Sequence, residues 1–346
     1  MSTSRVALNP QPLPPRTRTR PAPAVRWLLR PVVTLIVIST LVTVAYAGIS
    51  ILVASKLAYG KPSPITRTPA TLGLQYRDIT FASRVDGLVL TGWFIPGVLP
   101  DGHLTADRVI ITTHGFGENR DDPQGPTLNL GAQLAKHGFA VLAFDLQGEG
   151  QSPPAAMSMG LHEAYGILGA VDFLQSGPLP YPDLGRPRMI AGWGVSLGAA
   201  SLVFAAAQEP AIKALVMDAM FAEAEPLLER EIPLQSGLPS FFTPGILRAA
   251  QVLYGIDYYS ARPVDVVARL APRPLFFIHG GADERTPYSM MFELVAAADK
   301  APNAHVQYWL VPGARHAQAF STATAAYVSR VVTFYTNALG PDQSGR

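Results

Sequence analysis

Cysteine is absent from this 346-residue sequence. Its absence excludes disulfides, thiolate metal sites and a cysteine nucleophile, but leaves the compartment open, because exported proteins can also lack cysteine. Charge is scarce too, at 15% of residues against 48% hydrophobic. That balance excludes a disordered or nucleic-acid-binding chain as the main reading. No H-E-x-x-H, G-K-[ST] or G-x-G-x-x-G pattern occurs, so the sequence gives no sign of zinc-hydrolase or nucleotide-phosphate chemistry. No internal repeat is visible, and no acidic residue precedes Asp78.

What stands before Asp78 is basic and then apolar. Arg5, Arg16, Arg18, Arg20, Arg26 and Arg30 lie in a Pro-rich arm, whereas from residue 57 onward 20 basic residues face 25 acidic ones. Val32 to Ser55 is a run of 24 residues without a charge. A helix of that length covers about 36 Å, enough to cross a hydrocarbon core of about 30 Å with some tilt. The arginines on its N-terminal side place the arm in the cytoplasm and the larger part across the membrane. A signal peptide cleaved after Ala45-Tyr46-Ala47 is the rival reading, but the apolar run continues past that point, which favours an uncleaved anchor. The expected layout is a disordered basic tail over 1–31, a transmembrane signal anchor over 32–55, a linker over 56–73 and one large domain over 74–340.

Within that domain, short apolar runs alternate with helical patterns. Tyr76–Ser83 and Leu88–Ile95 flank the turn Val85-Asp86-Gly87 as a hairpin. Strands are expected at Val109–Thr113, Ala140–Phe144, Met189–Gly192, Ala214–Met217, Leu275–Ile278 and Val306–Val311. Helices are expected near Leu128–Lys136, Glu163–Leu174, 197–208, 288–299 and 322–338. Such alternation implies a mostly parallel sheet with helices on both faces. About two helices between 221 and 270, rich in Phe, Leu, Tyr and Pro, break the rhythm and read as a cap over an apolar pocket.

The most informative stretch runs from Met189 to Ala200, where an apolar strand enters Gly194-Val195-Ser196-Leu197-Gly198 and a small-residue helix follows. A nucleophile elbow needs that context: the serine sits on a strained strand-to-helix turn, with glycines that let backbone pass close. A serine hydroxyl is a poor nucleophile near neutrality, so it needs a base, an orienting acid and an oxyanion hole. Ser196 is the candidate nucleophile. Asp283, in His279-Gly280-Gly281-Ala282-Asp283 after a strand, is the candidate acid, with Glu284 and Asp218 as rivals. His316, in Val311-Pro312-Gly313-Ala314-Arg315-His316, comes after both and is the candidate base. His114 and His279 read as loop-shaping, and His103, His137, His162 and His305 fit worse. The amide of Leu197, at a helix start, and that of Phe116, in His114-Gly115-Phe116-Gly117, are the candidate oxyanion donors.

Six segments in order, 86–96, 114–120, 144–152, 192–198, 272–283 and 311–316, resemble the α/β-hydrolase superfamily across roughly residues 74–340. The likeness is to bacterial membrane-anchored or exported serine hydrolases, named after lysophospholipases, dienelactone hydrolases or prolyl-oligopeptidase-like enzymes. The resemblance implies an eight-stranded, mostly parallel sheet with a helical cap, and a Ser-His-Asp triad acting on carboxylic esters. It also leaves open a peptidase or an inactive membrane-tethered binding protein. The expected partners are a small-molecule or lipid ester substrate and the membrane, with no nucleic acid, cofactor or metal. One departure stands out: Gln147 and Glu149 replace residues that relatives carry in D-x-R-G-x-G-x-S.

Overall fold

In the computed structural model, residues 23–59, 63–123 and 125–344 are described. The chain divides into two compact units after Gly48. The N-terminal unit carries most of helix α1, Pro23–Leu57. Leu29–Leu57 has a mean hydropathy of 2.3 and is the one helix among the described residues long and apolar enough to cross a membrane. Over residues 29–45 its side chains are exposed, with Leu35 at 68% and Leu41 at 63%, a surface suited to lipid rather than water. The helix starts earlier than the expected tail allows. Pro23 fits a first helical turn, and Ala24 to Arg30 contains no helix breaker, so 23–31 is helical. The rest of that expected tail lies outside the described residues.

The second unit is built on eight strands: β1 (Arg77–Ala82), β2 (Val89–Ile95), β3 (Arg108–Thr113), β4 (Ala140–Phe144), β5 (Met189–Val195), β6 (Ile212–Asp218), β7 (Pro274–Gly280) and β8 (His305–Val311). Their order is β1-β2-β4-β3-β5-β6-β7-β8. The first two pairings are antiparallel and all others parallel. This is the α/β-hydrolase fold. Every residue of β3 is buried, as a central strand covered on both faces requires. Val109 and Ile111 enter one core and Ile110 the other, because successive side chains alternate across a sheet.

Helices α3 (Glu163–Ser176), α4 (Leu197–Ala206) and α7 (Ser289–Ala298) supply the first core, while α2 (Thr127–Lys136), the short α8 (Ala319–Thr322) and α9 (Thr324–Leu339) supply the second. The cap, between β6 and β7, consists of α5 (Ala224–Ser236), α6 (Thr243–Tyr254) and short 3-10 turns. Strand β5 runs three residues beyond the expected Met189–Gly192. Its glycines are poor strand formers, but pairing with β3 and β6 on either side overrides propensity.

Candidate active site

Strand β5 turns into α4 at Ser196, whose φ of 53° and ψ of −115° are strained for a residue with a side chain. Two glycines make the turn possible. A Cβ on Gly194 would stand 2.6 Å from the Gly198 carbonyl, and one on Gly198 would stand 2.5 Å from His114 O. Neither distance is tolerable, so both positions require glycine. The Ser196 amide donates to Asp218 O at the end of β6, 2.8 Å away, which fixes the elbow against the neighbouring strand.

Ser196 Oγ lies 3.0 Å from His316 Nε2, and His316 Nδ1 lies 2.8 Å from Asp283 Oδ2. The serine, the histidine and the acid thus come from three loops at the C-terminal ends of β5, β8 and β7, where open α/β sheets form their clefts. Asp283 Oδ1 accepts the Arg285 and Thr286 amides at 3.0 and 2.9 Å. Burial alone would raise the Asp283 carboxyl. Hydrogen bonds from His279 and His316, the His316 charge and the Thr286 amide outweigh it and hold the group well below the usual carboxylate range. Asp283 is therefore an anion that orients the imidazole and can stabilise its protonated form.

The Leu197 amide is the first of α4, where helix donors lack intrahelical acceptors. Neither it nor the Phe116 amide donates to a loop or turn carbonyl, and both residues line the cavity beside Ser196. The Gly115 backbone runs close to Ser196, so that a Cβ on Gly115 would stand 3.6 Å from the serine Cβ.

The rival acids are elsewhere. Glu284 is exposed. Asp218 is fully buried and accepts the Tyr327 hydroxyl at 2.9 Å, which in turn accepts Trp193 Nε1 at 3.0 Å. Burial pushes its carboxyl up to about 7, so it serves the packing of the elbow strand against α9. His114 is buried, with Nε2 accepting the Leu146 amide at 3.0 Å and Nδ1 donating to Gly115 O at 2.8 Å. It shapes the loop that carries Phe116. His279 likewise braces the acid loop through Thr286 O at 2.7 Å. His103, His137 and His305 are exposed, and His162 stacks on Tyr165.

Two cavities meet at Ser196. One, of about 740 Å³ of open space, is apolar and runs under the cap between Phe116, Leu227 and Leu247. The other, of about 650 Å³, is polar and lies beside His316, Glu118, Arg285 and Gln318. Burial, reinforced by Asp122, pushes the Glu118 carboxyl up to about 7.

Three residues escaped the sequence reading as contributors to the site. Thr286 places its hydroxyl 2.9 Å from Asp283 Oδ2 and 3.0 Å from His316 Nδ1. Its position three residues after the acid was the available signal. Glu149, seen only as a departure from the family pattern, accepts the Gly117 amide at 3.0 Å and so holds the Phe116 loop. Burial pushes that carboxyl up to about 7 as well. Arg285, on the rim of both cavities, pairs with Glu231 of the cap at 3.1 Å.

The description "Prolyl oligopeptidase family" belongs to the family that matches residues 129–342. The chain is 27% identical to the uncharacterized protein YfhR of Escherichia coli K12 over 259 residues, 74% of this chain and 79% of that one. Esterase Pf2001 of Pyrococcus furiosus superposes with a TM-score of 0.64 at 22% identity, over 82% of this chain and 99% of that one. An acylaminoacyl peptidase of Pyrococcus horikoshii superposes with a TM-score of 0.56 at 18% identity, over 81% and 45% of the two chains. At these identities both structures share the fold.

Proposed function

The chain belongs to the prolyl oligopeptidase family of α/β hydrolases, and from that premise we propose a membrane-anchored serine esterase that works through an acyl-enzyme. Ser196 Oγ attacks the ester carbonyl while His316 Nε2 takes its proton. Asp283 accepts the hydrogen bond from Nδ1 and balances the imidazolium, and the amides of Phe116 and Leu197 hold the tetrahedral oxyanion. Collapse expels the alcohol, which receives the proton from His316 and leaves through the polar cavity. Water, deprotonated by His316, then attacks the acyl-enzyme and releases the acid.

The observation that carries this reading is the continuous hydrogen-bonded chain from Ser196 through His316 to Asp283, at the mouth of an apolar cavity suited to an acyl group. The six N-terminal arginines support an anchor with its N-terminus in the cytoplasm and the hydrolase unit outside. Secretion after cleavage near Ala47 is the alternative. The matched family's description favours a second reading, a peptidase or acyl-aminoacyl hydrolase using the same residues.

The test treats the full-length protein in detergent, beside Ser196→Ala, with a fluorophosphonate, nitrophenyl esters and acyl-aminoacyl amides. Labelling and ester turnover should vanish in the variant, with turnover falling by about four to six orders of magnitude. Amide turnover exceeding ester turnover would replace the esterase reading with the peptidase one. A folded wild type that neither labels nor turns over would make the cleft a binding site.

A further inference from the structure

The apolar cavity is not built by the cap alone. Ala54 and Leu57, in the last turns of α1, and Ala58 just beyond it line it together with Ser196. All three belong to the same compact unit as the hydrolase sheet, and they share one helical face because they stand three and four residues apart. Ala54 and Ala58 are each 2% exposed. The Met157 amide donates to Ala58 O at 2.7 Å, and Tyr258 of the cap segment donates its hydroxyl to Met157 O at 2.8 Å. Tyr59 packs edge-on against Tyr254 at the end of α6, with ring centroids 5.7 Å apart. The helix end is therefore stitched to the cap and to the Met157 loop as one wall.

The charged groups on the cavity lining already have partners. Glu231 pairs with Arg285 and accepts Gln235 Nε2 at 3.0 Å, leaving no free charge among the described lining residues to select a polar or zwitterionic group. The lining also includes Leu227 and Ile232 of α5 and Ile246 and Leu247 of α6. A flexible aliphatic chain fits such a lining, since each methylene it buries contributes favourably and nothing demands a hydrogen bond.

We infer that the end of the apolar anchor helix is a specificity element of the active site, and that the substrate is an ester of an unbranched aliphatic acid long enough to reach Ala54 and Leu57. This rests on the esterase reading of Ser196. The same helix that is long and apolar enough to cross a membrane thus supplies, in its last turns, part of the surface against which the acyl chain lies. Removing α1 to make a soluble enzyme would open that wall and change selectivity.

The experiment measures kcat/KM for acetyl, butyryl, octanoyl, dodecanoyl and palmitoyl nitrophenyl esters with the full-length protein in detergent. For the wild type, each added methylene should raise kcat/KM by about fourfold until the cavity is filled. Ala54→Leu and Leu57→Trp should each lower the dodecanoyl-to-acetyl ratio by about tenfold or more, and Leu57→Ala should move the optimum to a longer chain. Leu52→Trp, on the exposed face of the same helix, should keep the wild-type ratio. If buried Ala54→Leu fails to fold, the half-buried Leu57 pair carries the test. Ratios unchanged in both Leu57 variants, in protein that still labels at Ser196, would overturn this inference and leave the esterase reading intact. A wild type that turns over no ester would overturn both.

Discussion

Thr286 Oγ1 stands 3.0 Å from His316 Nδ1 and 2.9 Å from the Asp283 oxygen that the same imidazole nitrogen contacts. Acid, hydroxyl and base form a closed triangle, so Nδ1 of the histidine is held by two contacts rather than one. The Thr286 hydroxyl is fully buried with the acid, where such contacts are not diluted by water.

Thr286 is accordingly a positioning residue. Thr286→Val keeps the shape and removes the hydroxyl, and should lower kcat by about tenfold with little change in KM. Thr286→Ser should restore most of the loss. Steady-state kinetics on one ester would decide: equal losses in the Val and Ser variants would mean that packing, not the hydroxyl, is what matters.

The acid assignment makes a sharper demand. Asp283→Asn should cut kcat by about three to four orders of magnitude, because the amide cannot hold the imidazole tautomer or balance its charge. Exposed Glu284→Gln should stay within about twofold of wild type. Comparable losses in the two variants would remove Asp283 from its role.

Stability should depend on pH through Asp218, whose folded carboxyl is pushed by burial up to about 7 from its ordinary value of 3.8. Between those values the folded chain holds a proton that the unfolded chain has released. Linkage then makes stability fall as pH rises through that window and level off above it. Asp218→Asn removes this contribution, so its melting temperature should decline less than that of the wild type from pH 4 to pH 7, as read by thermal denaturation. Part of the slope should persist, because burial pushes Glu118 and Glu149 up to about 7 as well. Parallel melting curves for variant and wild type would show that Asp218 ionises on folding as it does in the open chain.

Much of the architecture was readable because its signals are local. The Val109–Thr113 run is apolar and short, so it becomes a buried central strand. Gly194 and Gly198 bracket a serine between a strand and a small-residue helix, and only the elbow conformation uses both. Where reading failed, the reason was also local. The tail over 1–31 reads as disordered from its basic, Pro-rich composition, yet no helix breaker lies between Ala24 and Arg30, and the helix runs on through Pro31 into the apolar segment. The extra residues of β5 depend on neighbouring strands that no short window contains, and Thr286, although three residues from the acid, meets His316 only through the fold.

Strand and helix order, the serine at the elbow, the chain order Ser196–Asp283–His316 and the long apolar helix all follow from the amino-acid sequence. Each is written in contiguous residues through hydrophobic period and turn chemistry. The tertiary structure alone decided which of Asp218, Asp283 and Glu284 reaches His316, and that Ala54 and Leu57 line the cavity at Ser196. Those relationships join residues from distant parts of the chain, and only the packing of the sheet, the cap and the helix end brings them into contact.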